Sequence, residues 1–524
     1  MILQRVRNRG IRLGTIFERA AARHPNSVLT VDHDLDVVPD FPRRATVAEW
    51  AELVDELAAR LSAAGVRAEE RVVVHKSHCF DITLLALALS RIGAIPALLS
   101  SKLDGETVAA LVRRADRPVL LTDQAKLEQD LPEEVFELSR AVILAAGTHP
   151  QAVSLADYAG APRVPAVVRE PHLPAMITHT SGTTGVPKLA VHTGFSLESR
   201  YRPQATVAKL WLRGKHVVAI NVSFVHSRMF TALPISLLHG HDVLAMREED
   251  PEMVGALFAA ENPTVLEAHP NTYMAWEELA EDPRRPLANV KVFSSTFDAI
   301  HPRTVRLMLE ATARRRPLFV QMYGQSEIGP VTIRGYRRRK GADGDGRCVG
   351  IPFYGFTGAH VVRRGEGRPT KENPGFIEIA SNGRIVTYYG EQERYEKQAS
   401  SRVWWRMGDV GYRTRWGCVH LLDREVDVIE GFGSTLAVED ALFSRLHQLT
   451  EVVVVPGPDR SAVPVICTRG DAPIDPEAWR VAVRDLPPMA PPVLLRLDEV
   501  PHTATAKVRR LELARQLTER SVVR

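Results

Sequence analysis

The chain has 524 residues, more than one ordinary hydrophobic core accommodates, which predicts two or more domains. Its 45% hydrophobic and 25% charged residues are those of a soluble globular protein. The formal charge of +4 is small for this size, so charge singles out neither nucleic acid nor a membrane surface as a partner. No apolar run approaches the roughly 20 residues that span a bilayer.

Cys79, Cys348, Cys418 and Cys467 are scattered without CxxC pairing, the pattern expected in a reducing compartment and without structural zinc. The first seven residues, MILQRVR, lack a long apolar segment, so a cytoplasmic location is expected. Apolar spacing predicts helices over residues 13–22 and 46–64, the second stopped by Gly65. Residues 72–74 read as a strand, followed by a loop from His75 to Cys79, a helix over 82–92 and a strand at 95–99. Further strands follow at 118–122 and 142–144. This alternation predicts an α/β fold with a mainly parallel sheet flanked by helices. His75, His78 and Cys79 have neither strand-face nor zinc-knuckle spacing, so they read as a strand-to-helix loop.

Residues 175–177 close another buried strand, and Thr178-His179-Thr180-Ser181-Gly182-Thr183-Thr184-Gly185-Val186-Pro187-Lys188 follows at once. Glycine lets backbone approach an anion, exposed N–H and hydroxyl groups donate to phosphate oxygens, and Lys188 adds a point charge. A Walker A loop needs Ser or Thr directly after its lysine; here Leu189 follows, which excludes it. A Ser/Thr/Gly-rich linker is the bland alternative, but linkers rarely abut a buried strand so tightly.

This run resembles the phosphate-binding signature of the adenylate-forming (ANL) superfamily, which includes acyl-CoA synthetases, peptide-synthetase adenylation domains and luciferases. The resemblance implies that Thr180, Ser181, Gly182, Thr183, Thr184, Gly185 and Lys188 hold the phosphates of ATP. A strand at 217–222 leads into Ser223-Phe224-Val225-His226, where relatives place an aromatic residue or histidine beside the acyl pocket, so His226 is a candidate catalytic residue. Residues 290–298 fall where many relatives carry a Gly-Gly-Ala-like stretch; here it reads Ser295-Thr296-Phe297-Asp298. Together with Glu267 and His269, Ser295 and Asp298 make a polar candidate pocket. A buried charge must find a partner, so an amine-bearing or polar substrate is one reading of these residues and surface exposure the other.

A strand at 319–322 ends in Tyr323-Gly324-Gln325-Ser326-Glu327, which resembles the family's Tyr-Gly-x-Thr-Glu motif. The resemblance implies Tyr323 stacked on adenine with Gly324 beside it, Ser326 on the α-phosphate and Glu327 on Mg2+, a cation that takes hard oxygen ligands. The basic run 337–340 and the Gly/Asp-rich run after it read as a solvated loop, without the aromatic interleaving of a nucleic-acid patch. Strands at 376–379 and 384–388 suggest a small β-rich subdomain. Met407-Gly408-Asp409 resembles the Thr-Gly-Asp motif and places Asp409 on the ribose hydroxyls; Asp423-Arg424 resembles the next motif and places Arg424 on ribose or phosphate. The usual hinge aspartate is Val426 here, and the lysine that often follows the motif's Ile is Glu430. Strands at 452–455, 463–467 and 493–497 and a helix near 479–486 describe an α+β lid, and Lys507, in a run resembling the closing motif, would be the catalytic lysine.

The resemblance therefore implies the ANL fold: an N-terminal α/β domain over residues 1–422 with a β-rich subdomain, a hinge at 423–427 and a small mobile α+β domain at 428–524. It implies attack by a substrate oxyanion on the α-phosphorus of Mg·ATP, giving an adenylate and pyrophosphate. The default substrate is a carboxylic acid passed to coenzyme A. The alternative is nitrite, activated by an ATP-dependent diazotase and coupled to an aromatic amine. A nucleotide-binding scaffold is a third reading, opposed by retention of Glu327 and Lys507. No carrier-protein domain is expected after the final helix.

Overall fold

The computed structural model describes residues 9–180, 186–297, 299–338, 345–457, 461–503 and 507–522. Ser181, Gly182, Thr183, Thr184, Gly185 and Asp298, expected at the site, lie outside them. Among the described residues the strands form sheets of 13, 8 and 3 strands. No described helix is long and apolar enough to cross a membrane.

The 8-stranded sheet is built on buried, β-branched runs. Arg71–Val74 lies parallel between Ile95–Leu98 and Val119–Thr122, and Ala141–Leu144 extends the latter. Strands covered on both faces read as continuous apolar runs, which is why these were legible as a parallel sheet. The helix Val47–Ala63 packs alongside; Thr46 and Glu49 close a capping box at its start, and Gly65, at φ +97°, sits just beyond its end. Pro174–His179 runs parallel to Ile95–Leu98 and delivers the phosphate loop, and Leu189–Thr193 returns antiparallel beside it.

In the 13-stranded sheet, Val217–Asn221, Val265–Ala268, Val292–Ser295 and Leu318–Gln325 are successive parallel neighbours. Asn221, Ala268, Ser295 and Gln321 stand level in the register, so the loops that follow the first three strands and the continuation of the fourth meet at one edge. Ligands of open α/β sheets bind outside the carboxyl ends of the strands. From there the sheet turns antiparallel through Gly329–Tyr336, Cys348–Pro352, Val419–Arg424, Trp404–Arg413 and Gly375–Ser381. The β-rich part is thus continuous with the parallel part.

Two expectations change. The strand expected to stop at Met322 runs on to Gln325, so Tyr323 and Gly324 belong to the ladder and not to a turn after it. The strand expected over 384–388 shrinks to Thr387–Tyr388, because Ile385 N donates instead to Glu327 O and Val386 N to Val191 O. The C-terminal part is α+β as expected, with Leu449–Pro456, Ala462–Thr468 and Val493–Leu494 in the small sheet and helices Thr435–Arg445, Pro476–Val483 and Arg510–Val522; the strand expected over 493–497 is shorter, because a helical turn begins at Leu497.

Candidate active site

Thr180, Lys188, His226, Gly324, Ser326, Glu327, Arg424 and Lys507 line one cavity of about 300 Å3. Tyr323 and Asp409 line an adjoining cavity of about 250 Å3, and Gly324, Arg424 and Lys507 border both. Residues up to 327 positions apart in sequence, Thr180 and Lys507, therefore converge at the carboxyl edge of the parallel strands.

On the phosphate side, the Lys188 backbone N donates to Thr180 Oγ1 at 3.1 Å, pinning the base of the loop. Lys188 Nζ lies 3.5 Å from Glu327 Oε1 and donates to the Tyr388 hydroxyl at 3.1 Å, 4.4 Å from the centre of that ring. Tyr388 donates in turn to Glu327 Oε1 at 2.7 Å. Burial and the Glu327 charge push the Tyr388 phenol far above its ordinary range. Among the described residues nothing is hydrogen-bonded to the other carboxylate oxygen. One such oxygen fits Mg2+, which takes a carboxylate or two and fills its shell with phosphate oxygens and water.

Arg200 is a functional candidate that sequence reasoning missed. It is 2% exposed and donates to Gly383 O at 2.7 Å, Ser227 Oγ at 3.1 Å and Ser326 O at 3.0 Å. Burial pulls its pKa down to about 9, while the charge of Glu327 works against that. Two glycines make room for it: a Cβ at Gly329 or Gly383 would stand 2.8 or 2.7 Å from its side chain. A glycine two residues after the Ser-Glu pair was the available signal.

On the nucleotide side, Asp409 and Arg424 are directly opposed on neighbouring antiparallel strands. The Tyr323 hydroxyl donates to Asp409 Oδ2 at 2.5 Å, and burial together with that carboxylate raises the phenol well above its usual value. Tyr323 thus orients the carboxylate expected to meet the ribose. Trp405 Nε1 donates to Gln325 Oε1 at 3.2 Å, and Gln325 donates to Met407 O, fixing the turn before Asp409.

The expected substrate pocket is rearranged. Phe297 adopts φ +85°, a region a bulky residue rarely occupies, and its ring lies 4.5 Å from that of His226 and 4.0 Å from that of His269. Burial, helped by the charges of His269, Arg200 and Lys507, holds His226 well below its ordinary pKa. Burial, with Lys102 and Lys507, pulls His269 down to about 4. Both imidazoles are neutral at physiological pH. The Arg228 N–H donates to His226 Nδ1 at 3.0 Å, so the neutral ring carries its proton on Nε2. Glu267, expected to seat an amine, has both oxygens taken by the buried Arg228 guanidinium, whose third nitrogen donates to Gln204. Ser295 is fully buried, and its Oγ has no hydrogen-bond partner among the described residues. Glu267, His269 and Ser295, expected in the substrate pocket, line neither cavity.

A family model described as AMP-binding enzyme matches residues 17–389. The chain belongs to this family. This AMP-binding enzyme is 47% identical to a 3-amino-2-hydroxy-4-methoxybenzoate diazotase of Streptomyces cremeus, over 98% of this chain and 97% of that one. It is 25% identical to a 3-aminoavenalumate diazotase of a Streptomyces species, over 79% and 74% of the two chains. Its fold matches the crystal structure of an anthranilate CoA ligase in complex with anthranoyl-AMP, with a TM-score of 0.80, 18% identity and 98% of each chain covered. The superfamily resemblance and the α/β ANL fold expected from the motifs hold, and the chain is an ATP-dependent adenylate-forming enzyme.

Proposed function

We propose that this AMP-binding enzyme is an ATP-dependent diazotase that adenylates nitrite and couples it to an aromatic amine. The observation that carries the reading is the 47% identity, along nearly the whole chain, to a diazotase of an aminobenzoate. The cavity supports it, because its lining includes the Phe297 ring and the neutral His226 imidazole, with His269 packed on that ring, which suits a neutral arylamine better than an aliphatic tail.

In this reading a nitrite oxygen attacks the α-phosphorus and pyrophosphate leaves. Thr180, Lys188 and Ser326 position the phosphates, Glu327 holds the Mg2+ that arrives with ATP, and Lys507 stabilises charge developing at the α-phosphate. Asp409 and Arg424 hold the nucleoside end. The amine nitrogen then attacks the nitroso nitrogen and AMP departs. His226 Nε2–H donates to the nitroso oxygen, and the amine proton passes to the departing AMP phosphate. The nitrosamine takes that proton back and loses water, giving the diazonium. Overall, amine, nitrite and ATP give diazonium, water, AMP and pyrophosphate. Residues 423–427 form the boundary between the large and small parts. Asp423, whose carboxylate accepts from Thr435 N at 3.0 Å, ties the strand Val419–Arg424 to the first helix of the small part.

The test is release of AMP and pyrophosphate from Mg·ATP with nitrite and 3-amino-2-hydroxybenzoic acids, against a panel of aryl acids with and without coenzyme A. Turnover that requires nitrite and ignores coenzyme A is expected. Turnover with an acid alone, raised by coenzyme A, would replace this reading with thioester formation.

A further inference from the structure

Lys76 and Cys79 occupy the loop between the strand Arg71–Val74 and the helix Asp81–Arg91 and line neither cavity. Lys76 is fully buried, with Nζ 2.7 Å from Cys79 Sγ, 2.8 Å from Asp36 Oδ2 and 3.2 Å from Asp81 Oδ2. Asp36, Cys79 and Asp81 have donor atoms within 4.8 Å of one another, as a metal site would, but the lysine ammonium stands among them. An N–H···O bond spans about 2.7–3.2 Å, and sulfur is a larger and weaker acceptor than oxygen. A nitrogen 2.7 Å from sulfur is therefore closer than an N–H···S contact requires, and the gap is one that a single bridging oxygen atom spans.

We propose that Lys76 and Cys79 are a modification site, joined under oxidising conditions by a reversible Nζ–O–Sγ crosslink. The lysine ammonium, the cysteine thiol and one dioxygen give the bridge, one water and one proton. N–H and S–H bonds break while N–O and O–S bonds form. Nitrogen and sulfur each lose two electrons, and dioxygen takes all four. The proton goes to Asp81, whose Oδ1 is buried without a hydrogen-bond partner among the described residues. Its protonation offsets the lost ammonium. Dioxygen is small and apolar, so it reaches a buried pair that larger oxidants do not. Burial holds the Cys79 thiol far above its ordinary pKa, so it is a poor thiolate nucleophile toward bulky reagents. The same loop packs its His78 ring on Phe224 at 4.8 Å, two residues before His226.

The test is a tryptic mass map of the full chain, exposed to air, alkylated after denaturation and digested without reductant. Trypsin cuts after Lys76 only when its amine is free. A single peptide spanning residues 72–91, heavier by one oxygen less two hydrogens, is expected. Dithiothreitol should convert it into peptides 72–76 and 77–91, the second alkylated at Cys79 after further treatment. Cys79→Ser should restore cleavage after Lys76 without reductant. Complete cleavage after Lys76 with complete alkylation of Cys79 in the oxidised wild-type chain would overturn the proposal. So would oxygen addition on Cys79 alone with the lysine free, the ordinary sulfenic-to-sulfonic course.

Discussion

The Tyr388 hydroxyl donates to Glu327 Oε1 at 2.7 Å and accepts from the Lys188 ammonium at 3.1 Å, closing a triangle with the two charged groups. Lys188 and Glu327 form an ion pair at 3.5 Å, and the phenol holds both groups in place while the second carboxylate oxygen is left without a hydrogen bond among the described residues. Tyr388→Phe removes the hydrogen bond that orients Glu327. Hydrogen bonds to charged groups contribute about 1.5–3 kcal/mol, so kcat/KM for Mg·ATP should fall roughly ten-fold, with half-saturation moved to higher Mg2+. Steady-state kinetics at varied Mg2+ measure both; an unchanged Mg2+ response would show that the phenol does not orient Glu327.

Lys507→Ala should lower pyrophosphate release about 100- to 1,000-fold, the size seen when one donor to transition-state charge is removed. Thermal unfolding should be unchanged. Full turnover in the variant would remove Lys507 from the catalytic assignment.

Phe297 separates strain from binding. Its left-handed backbone costs a residue other than glycine about 1–3 kcal/mol. Phe297→Gly and Phe297→Ala both remove the ring between the imidazoles and should raise KM for the arylamine by about ten-fold, leaving KM for ATP alone. The glycine variant should be the more stable of the two by about 1 kcal/mol in urea unfolding, because alanine retains the strain.

Breaking the buried Arg228–Glu267 pair should be costly. Removing one partner of such a pair typically costs about 3–5 kcal/mol, so Glu267→Ala should be strongly destabilised, and the Arg228→Met, Glu267→Leu double variant should regain most of the loss. If Glu267 seats the amine instead, Glu267→Gln would raise amine KM while leaving the unfolding midpoint in place.

Stability should fall as pH drops from about 6.5 to 4. Burial lowers the fully enclosed His75 to about 4, below the 6.5 of the free side chain, so protons prefer the unfolded chain. Its contribution is complete above pH 6.5 and lost on the way down to 4; the difference corresponds to about 3 kcal/mol. His78, His241 and His269 are lowered in the same direction. Asp423 opposes them, because burial raises it to about 6 and protonation there favours the fold. Urea midpoints at pH 7 and pH 5 give the net sign.

What could be read from the sequence was local. Glu327, Asp409 and Lys507 stand in short strings whose chemistry is complete within a few residues. The buried strands were legible because β-branched runs advertise a sheet. Arg200, Arg228 and Tyr388 were not legible, because their partners are remote: Arg200 meets Ser326 across 126 positions and Lys188 meets Tyr388 across 200. The buried Glu267 does find the partner its charge requires: Arg228, 39 residues earlier, a pairing that no periodicity reports. Residues 384–386 were misread for a related reason. Their β-branched character suits a strand, yet two of their N–H groups go to separate segments and form no ladder.

Asp409 and Arg424 share one rung of an antiparallel ladder, and Glu425 N bonds to Gly408 O at 2.8 Å immediately after it. Beyond that bond the chain leaves the sheet for the small C-terminal part. Under the proposed function, a nucleoside held by this rung would be anchored to the thirteen-stranded frame. Lys507 belongs to no strand of that frame, so nucleoside and lysine would be held by separate pieces of structure that meet only at the cavity.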